Sequence, residues 1–323
     1  MEQYSISFWN LENLFDIQGS PRRSDKLDRA IGNDLTGWDQ TQLDLKIQQL
    51  VAIIQQLNSG QGPDILGVCE VENKHVLDLL VQALNLPNRN YAVIHSDTND
   101  QRGIDVAIIY DQTRFNMEPN MIFNHVVMRR TATRDILQVN FMTVAGNRRL
   151  VIIVNHWPSR SGGQYESEGY RQIAGETLAY FHHRIMEIHG RDTPVLAMGD
   201  FNDEPFDKAL TNFALSLRSK NRVVNGTNPY FLNMMWPLMD EGVGSFFFNN
   251  QPNLLDQFLA NANLLKTSAQ IKAKPASVQI NNFPEMVGSG QYPSPIPFGG
   301  MGKPINPDGF SDHFPITLEL EEN

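Results

Sequence analysis

Short apolar runs rich in β-branched residues recur from one end of this chain to the other, and most of them stop at a polar or acidic residue. Phe8-Trp9 leads into Asn10, Ile65 to Cys69 into Glu70, and Val151 to Val154 into Asn155 and His156. Val195 to Met198 leads into Gly199-Asp200-Phe201-Asn202, Leu254-Leu255 into Asp256, and Ser311-Asp312-His313 stands just ahead of the run Ile316 to Leu320. Runs of this kind read as buried strands. Polar groups at the ends of neighbouring strands gather on one rim, where a rigid scaffold holds them.

The rest of the pattern is helical or irregular. Leu43, Ile47, Leu50, Val51, Ile54 and Leu57 repeat at helical spacing, with Asp39 or Thr41 as the cap. Helices are also expected over 74–84, 168–188 and 205–215, the last capped by Asp203. Further strands are expected over 91–95, 104–110, 136–144 and 150–155, with a hairpin between the last two. Residues 16–40 read as a loop. So does the proline- and glycine-rich stretch 275–311, which we expect to form part of a substrate wall because it ends at Asp312-His313. Many short strands, a few long helices and no internal repeat predict one domain over residues 1–323, an α/β (α+β) arrangement of packed sheets covered by helices.

Charge and cysteine usage narrow the function. With 26 Lys and Arg against 36 Asp and Glu, the net charge of −10 argues against clamping nucleic acid through a broad basic face. It leaves room for a nuclease, because a dication inverts the field of an acidic site. The single cysteine, Cys69, excludes a disulfide framework within the chain and a cysteine-based zinc cluster. No apolar stretch reaches the roughly 18 residues of a membrane span. Met1 to Asn10 does not read as a signal peptide, so we expect a cytoplasmic protein as written, or a secreted one if a leader was removed. We expect a monomer.

The inventory at the strand ends suits metal-assisted hydrolysis of a phosphate ester. Glu70 and Asp312 are hard oxygen donors of the kind Mg²⁺ prefers, and Asn10 adds an amide oxygen; Mn²⁺ and Ca²⁺ fit the same set. His156 and His313 move protons or donate to a phosphate near neutral pH. Asp200 is placed to activate a water and Asn202 to stabilise a pentacoordinate phosphorus. Arg102, Arg160 and Arg171 are candidates for gripping the substrate phosphate, which an arginine does bidentately. The bland readings are turns and caps for single Asp and Asn residues, ion pairs for the arginines and core packing for Trp38, Trp157 and Trp236. Glu72 reads as a solvated or outer acid. His75, His95, His125 and His189 belong to no constellation.

The order of these motifs resembles the endonuclease/exonuclease/phosphatase superfamily, which includes deoxyribonuclease I, apurinic/apyrimidinic endonucleases, neutral sphingomyelinases and inositol polyphosphate 5-phosphatases. The resemblance runs from Phe8 to about Leu320. It rests on Phe8-Trp9-Asn10, Val68-Cys69-Glu70, Asn155-His156-Trp157, Gly199 to Asn202, Leu255-Asp256 and Ser311-Asp312-His313. Asn10 to Phe15 and Arg102 to Ala107 are most similar to bacterial extracellular-nuclease-like members. The resemblance implies a four-layered sandwich, two mostly antiparallel sheets face to face with helices outside. It implies Mg²⁺ held chiefly by Glu70 with Asn10 and Asp312 nearby, and Asp200 acting on the attacking water. Asn202 and His313 would contact the scissile phosphate, Asp256 would orient a histidine or ligate a second metal, and His156 would protonate the leaving oxygen. No carboxylate partner for His156 is identifiable. A DNA or RNA endonuclease is the leading reading, a phosphatase or phosphodiesterase for a small or lipid phosphoester the second, and a non-catalytic binding scaffold the third. Gln257 and Phe258 after Leu255-Asp256 depart from the 5-phosphatase pattern, and Asn253 and Leu254 before Asp256 from the apurinic-endonuclease pattern.

Overall fold

A computed structural model of the chain describes residues 1–98, 100, 102–129, 133–290 and 292–323. In chain order its strands are β1 (Glu2–Leu14), β2 (Ile65–Val71), β3 (Tyr91–His95), β4 (Asp105–Asp111), β5 (Phe115–His125), β6 (Ile136–Thr143), β7 (Arg149–His156) and β8 (Val195–Asp200). Then follow β9 (Ser216–Leu217), β10 (Phe231–Asn233), β11 (Phe246–Phe248), β12 (Gln251–Asn253), β13 (Asp256–Asn261), β14 (Ile271–Ala273), β15 (Gln279–Ile280) and β16 (Ile316–Glu322). The first sheet has the order β14-β16-β1-β2-β4-β3, with β15 also on β16, and the second β5-β6-β7-β8-β13-β10-β9; β11 and β12 form a separate ribbon. The pairs β1·β2, β7·β8 and β9·β10 are parallel and the others antiparallel. Two large mixed sheets flanked by helices make the expected α/β architecture of the deoxyribonuclease I-like fold.

Period-two alternation explains the layers. In β1, Tyr4, Ile6 and Phe8 face a core shared with Ile152 and Val154 of β7, Met198 of β8 and Phe258 of β13. Trp9 and Leu11 face the other way, onto the helices Gln40–Ile54 and Lys74–Leu84. In β7, Val151 and Ile153 turn outward onto the long helix Gln164–His189. The two sheets approach closely at Gly67, where an added Cβ would stand 2.6 Å from the Met198 Cε. A side chain there would overpack the core.

The helix over 74–84 lies as expected, and Asp39 caps the helix before it by accepting from the Gln42 N–H at 3.1 Å. The last strand pair before the long helix is a hairpin, β6 on β7. Elsewhere the structure corrects the sequence reading. The 16–40 stretch contains a short helix, Asp25–Ile31, capped by Ser24. The 205–215 helix shrinks to one wide turn, Ala209–Phe213. That turn docks on the long helix, where a Cβ on Gly175 would sit 2.4 Å from the Ala209 carbonyl. Among the described residues Asp203 caps no helix there; it is the buried partner of Arg171. The 275–311 stretch is built from short pieces and includes β15, and its Phe298 and Gly299 amides donate to the Glu12 carboxylate near the end of β1.

Candidate active site

Asn10, His156, Asp200 and Asp256 each continue the inward, core-facing series of their strands. Asn10 follows Tyr4, Ile6 and Phe8; His156 follows Leu150, Ile152 and Val154; Asp200 follows Leu196 and Met198; Asp256 precedes Phe258 and Ala260. Pairing then sets them level, His156 opposite Asp200 across β7 and β8, and Asp256 opposite Asp200 across β8 and β13. Glu70 arrives by another route. Alternation after Cys69 would turn it outward, but a bulge between Cys69 and Val71 and a left-handed backbone (φ 60°) re-aim it. Glu12, Asn13 and Asn202 are also left-handed, at φ 47°, 62° and 51°. Non-glycine residues in this region cluster where function over-determines the backbone.

The geometry converges on Asp200. Its Oδ2 lies 3.2 Å from the Asn10 Nδ2, 3.7 Å from the His156 Nε2 and 3.9 Å from the His313 Nε2. Its Oδ1 accepts from the Asn202 N–H at 2.9 Å. His313 is fixed from behind by Asp256, whose Oδ2 lies 2.7 Å from Nδ1, and its ring packs on Phe246 with centroids 4.8 Å apart. The last motif is stitched to the first strand: the Ser311 hydroxyl donates to the Asn10 carbonyl at 2.6 Å, and the Trp9 indole N–H to the His313 carbonyl at 2.8 Å.

Burial pushes the Asp200 carboxyl up to about 7; Asp256 and Glu70 add to this, while His313 and the Asn202 amide oppose it. Burial would depress His313, but Asp256, Asp200 and Asp312 hold it well above the usual histidine range. His156 goes the other way, driven well down by burial and then by Arg134 and Arg102. Among the described residues its Nδ1 has no hydrogen-bond partner.

The remaining candidates are placed as follows. Asp312 lies at the mouth, its Oδ1 4.0 Å from the His313 Nε2. Asn202 gives one amide N–H to the Trp157 carbonyl at 3.1 Å. Arg102 is exposed beside the site, and its backbone N–H, at 2.9 Å, bonds Asp100. Arg160 braces the turn after β8, donating to the Asn202 carbonyl at 2.8 Å and pairing with Asp207 at 3.1 Å. Arg171 does not reach the site. It is fully enclosed and spends its guanidinium on Asp203, Ser167 and the Gln164 carbonyl, so the substrate-binding expectation is corrected to a structural one. Glu72 is buried in a fork with Arg23, both contacts at 2.7 Å. Trp38 and Trp157 are buried.

Sequence reasoning missed two groups, Arg134 and Lys46, and gave a third, Glu12 near the end of the first strand, no role. Arg134 is buried, donates to the Trp157 carbonyl at 2.8 Å, pairs with Asp100 at 3.4 Å and is felt electrostatically by His156. Lys46 donates to the Phe310 carbonyl at 2.7 Å, and burial lowers it to about 8 against the pull of Glu12, Asp312 and Glu70. Burial and Asp312 raise Glu12 to about 7, opposed by Lys46 and the Phe298 and Gly299 amides. Lys46 carried a visible signal, since it lies on the apolar stripe between Leu43 and Leu50.

The donor set fits a divalent ion. The Glu70 and Asp312 side chains are 17% and 30% exposed, so both reach the mouth, and the Glu70 Oε1 is 3.8 Å from the His156 Nε2. Asn10 spends one lone pair of its oxygen on the Glu12 N–H at 3.0 Å and keeps the other. Carboxylates outnumber the buried cations Lys46 and Arg134 here, which is the environment hard dications relieve.

Comparison with known proteins identifies the fold and the family. The chain resembles D. rerio TDP2 complexed with single-strand DNA product, with a TM-score of 0.59 at 14% identity, covering 99% of this chain and 100% of the other. It resembles the human Nocturnin catalytic domain (TM-score 0.58, 16% identity, 99% and 95% covered). It also resembles the mannosyl-6-phosphatase Bt3783 of Bacteroides thetaiotaomicron VPI-5482 (TM-score 0.56, 15% identity, 98% and 99% covered). No curated protein matches the sequence. The profile of the Endonuclease/Exonuclease/phosphatase family matches residues 5–322, nearly the whole chain, and the protein belongs to that family.

Proposed function

We propose that the protein is an Mg²⁺-dependent phosphoesterase that hydrolyses phosphodiester bonds, with DNA or RNA as the substrate class. The observation that carries this reading is the Asp200 carboxylate, held between Asn10, His156 and His313 where the two sheets meet. Glu70 and Asp312, with the Asn10 oxygen, would hold the ion. When bound, it supplies Lewis acidity and neutralises charge on the phosphate. Asp200 is near neutrality in its proton affinity and suits taking a proton from the attacking water. His313, kept protonated by Asp256, donates to a phosphate oxygen as negative charge builds there. Asn202 adds its remaining amide hydrogen, and Arg102 and Arg134 supply positive potential on the His156 side. His156 would hydrogen-bond the leaving oxygen.

A second reading is a phosphatase for a small phosphomonoester. It is favoured by the net charge of −10 and by the likeness to a sugar phosphatase.

The discriminating experiment is nicking of supercoiled plasmid with Mg²⁺, with a chelator control and a His313→Ala variant. Metal-dependent nicking that the variant loses supports the nuclease reading. Absence of nicking together with turnover of sugar phosphates moves the assignment to the second. Asp256→Asn should lower kcat by about 10²-fold or more, because His313 loses the carboxylate that orients it. In the same variant, the NMR titration of the His313 imidazole should move down toward the ordinary histidine range. An unmoved titration would detach Asp256 from this role.

A further inference from the structure

On the first sheet, two strands beyond Glu70, β3 ends at His95 and the neighbouring β4 begins at Asp105. The sequence placed His95 in no constellation, because the pairing of β3 with β4 creates one. The His95 Nε2 faces the Asp105 Oδ2 at 3.4 Å, and its Nδ1 lies 3.8 Å from the Asp97 Oδ1. One ligand atom from each of the three lies within 4.8 Å of the others. The imidazole is 3% exposed, and among the described residues its Nε2 has no hydrogen-bond partner. Asp105 is pre-set. Its Oδ1 accepts from the Thr98 N–H at 3.2 Å and the Thr98 hydroxyl at 2.5 Å, so its Oδ2 is the atom left for His95. A further acid stands close by: burial, then Asp105, raises the Asp135 carboxyl.

We propose that His95, Asp97 and Asp105 form a second metal site, separate from the catalytic rim, that takes a transition dication of the Zn²⁺ class. A buried imidazole nitrogen that faces a carboxylate oxygen without an aligned hydrogen bond is poorly served by an ion pair alone. An ion between them serves both. One imidazole with two carboxylates is a mixed N,O donor set of the kind Zn²⁺ accepts, whereas Mg²⁺ and Ca²⁺ favour oxygen alone. Access is open, because the Asp97 side chain is 86% exposed and the cluster borders a cleft of about 550 Å³.

The site has a structural consequence. An ion held there ties the end of β3 to the start of β4, and so closes the loop that carries Asp100 and Arg102. Asp100 in turn holds Arg134. The ion would therefore order the positively charged arm beside His156 without touching the substrate.

The test is Zn²⁺ titration, with bound metal counted per chain, of the full protein and of His95→Gln. The catalytic rim has clusters of its own, so the readout is the difference between the two proteins. The wild type should bind one equivalent more than the variant, and Zn²⁺ should raise the melting temperature of the wild type more than that of the variant. The two should melt together in chelator, which shows that the lost equivalent is not lost fold. Where His95→Gln fails to fold, Asp97→Asn replaces it. That exposed change should weaken the same equivalent by about tenfold or more, at least as much as losing an outer partner of a ligand. Equal stoichiometry and affinity in wild type and variant would overturn the proposal and leave a plain histidine–aspartate pair.

Discussion

Replacing Asp200 with Asn should slow turnover by about 10²- to 10⁴-fold while the fold survives. The amide keeps the shape of the carboxylate and still accepts the Asn202 N–H, but it takes no proton from water and holds no charge against His313. The larger diagnostic is stability without metal. An aspartate ionises near about 3.9 in an unfolded chain, and burial pushes this one up to about 7 in the folded protein. A raised acid is ionised at a cost to the native state. Its contribution is therefore most favourable below the unfolded value and is lost as pH rises through the folded one. Asn carries no such dependence. In chelator, the variant should match the wild type near about pH 4 and gain on it up to about pH 7. Excess Mg²⁺ should then close the gap by stabilising the wild type. Thermal melting across that range decides it: a wild type that stays ahead of Asp200→Asn at neutral pH without metal would contradict the crowded negative environment described at the rim.

Arg89→Ala should destabilise the protein by about 3–5 kcal/mol, because it strips the cation from buried carboxylates. The Arg89 guanidinium pairs with Asp64 and, at 2.9 Å, with Asp111; it also donates to the Gln61 and Gly62 carbonyls at 2.9 and 2.6 Å. Asp64 and Asp111 are themselves buried. Burial works against the Asp111 carboxylate, but the Thr113 amide, Arg89 and the Asn90 amide outweigh it and leave the group below its usual range. A depressed acid contributes stability that is present above the unfolded value and lost as pH falls through the folded one. The gap between wild type and variant in urea unfolding should thus be full at neutral pH and shrink in acid. Asp64 stands just before β2 and Asp111 ends β4, and Glu70 lies six residues after Asp64, which is about 20 Å at about 3.3 Å per residue. The folded variant should keep its activity, and a parallel loss of kcat would tie this end of the sheet to the site.

How much of this the sequence disclosed depends on whether the signal was local. Strands that face the core on one side and helices on the other, such as β7 and β8, write a continuous apolar run and are visible. The same runs reveal the rim, because His156 and Asp200 interrupt them in phase. β5 was invisible. It is an edge strand, largely exposed along its length and carrying Glu118, Pro119 and Asn120, and edge strands tolerate what inner strands exclude. Arg171 looked like a substrate arginine because nothing near it names Asp203, 32 residues away, as its partner. His95 looked idle for the same reason, since only the pairing of β3 with β4 brings Asp105 to it. Asp203 at a seeming helix start was read by the local rule for acids at such positions, and a buried arginine outbid that rule.

The shared phase of core and site has a consequence for how such a protein can change over time. A single-residue insertion in β7 or β8 would turn both the apolar series and the catalytic side chain to the helical side, so folding itself proofreads the chemistry. The connecting segments beyond the rim carry no such strand phase to preserve. Innovation in what is bound can therefore accumulate there while the reacting centre stays under the purifying pressure of stability. A scaffold organised this way is expected to diversify by recognition first and by mechanism last.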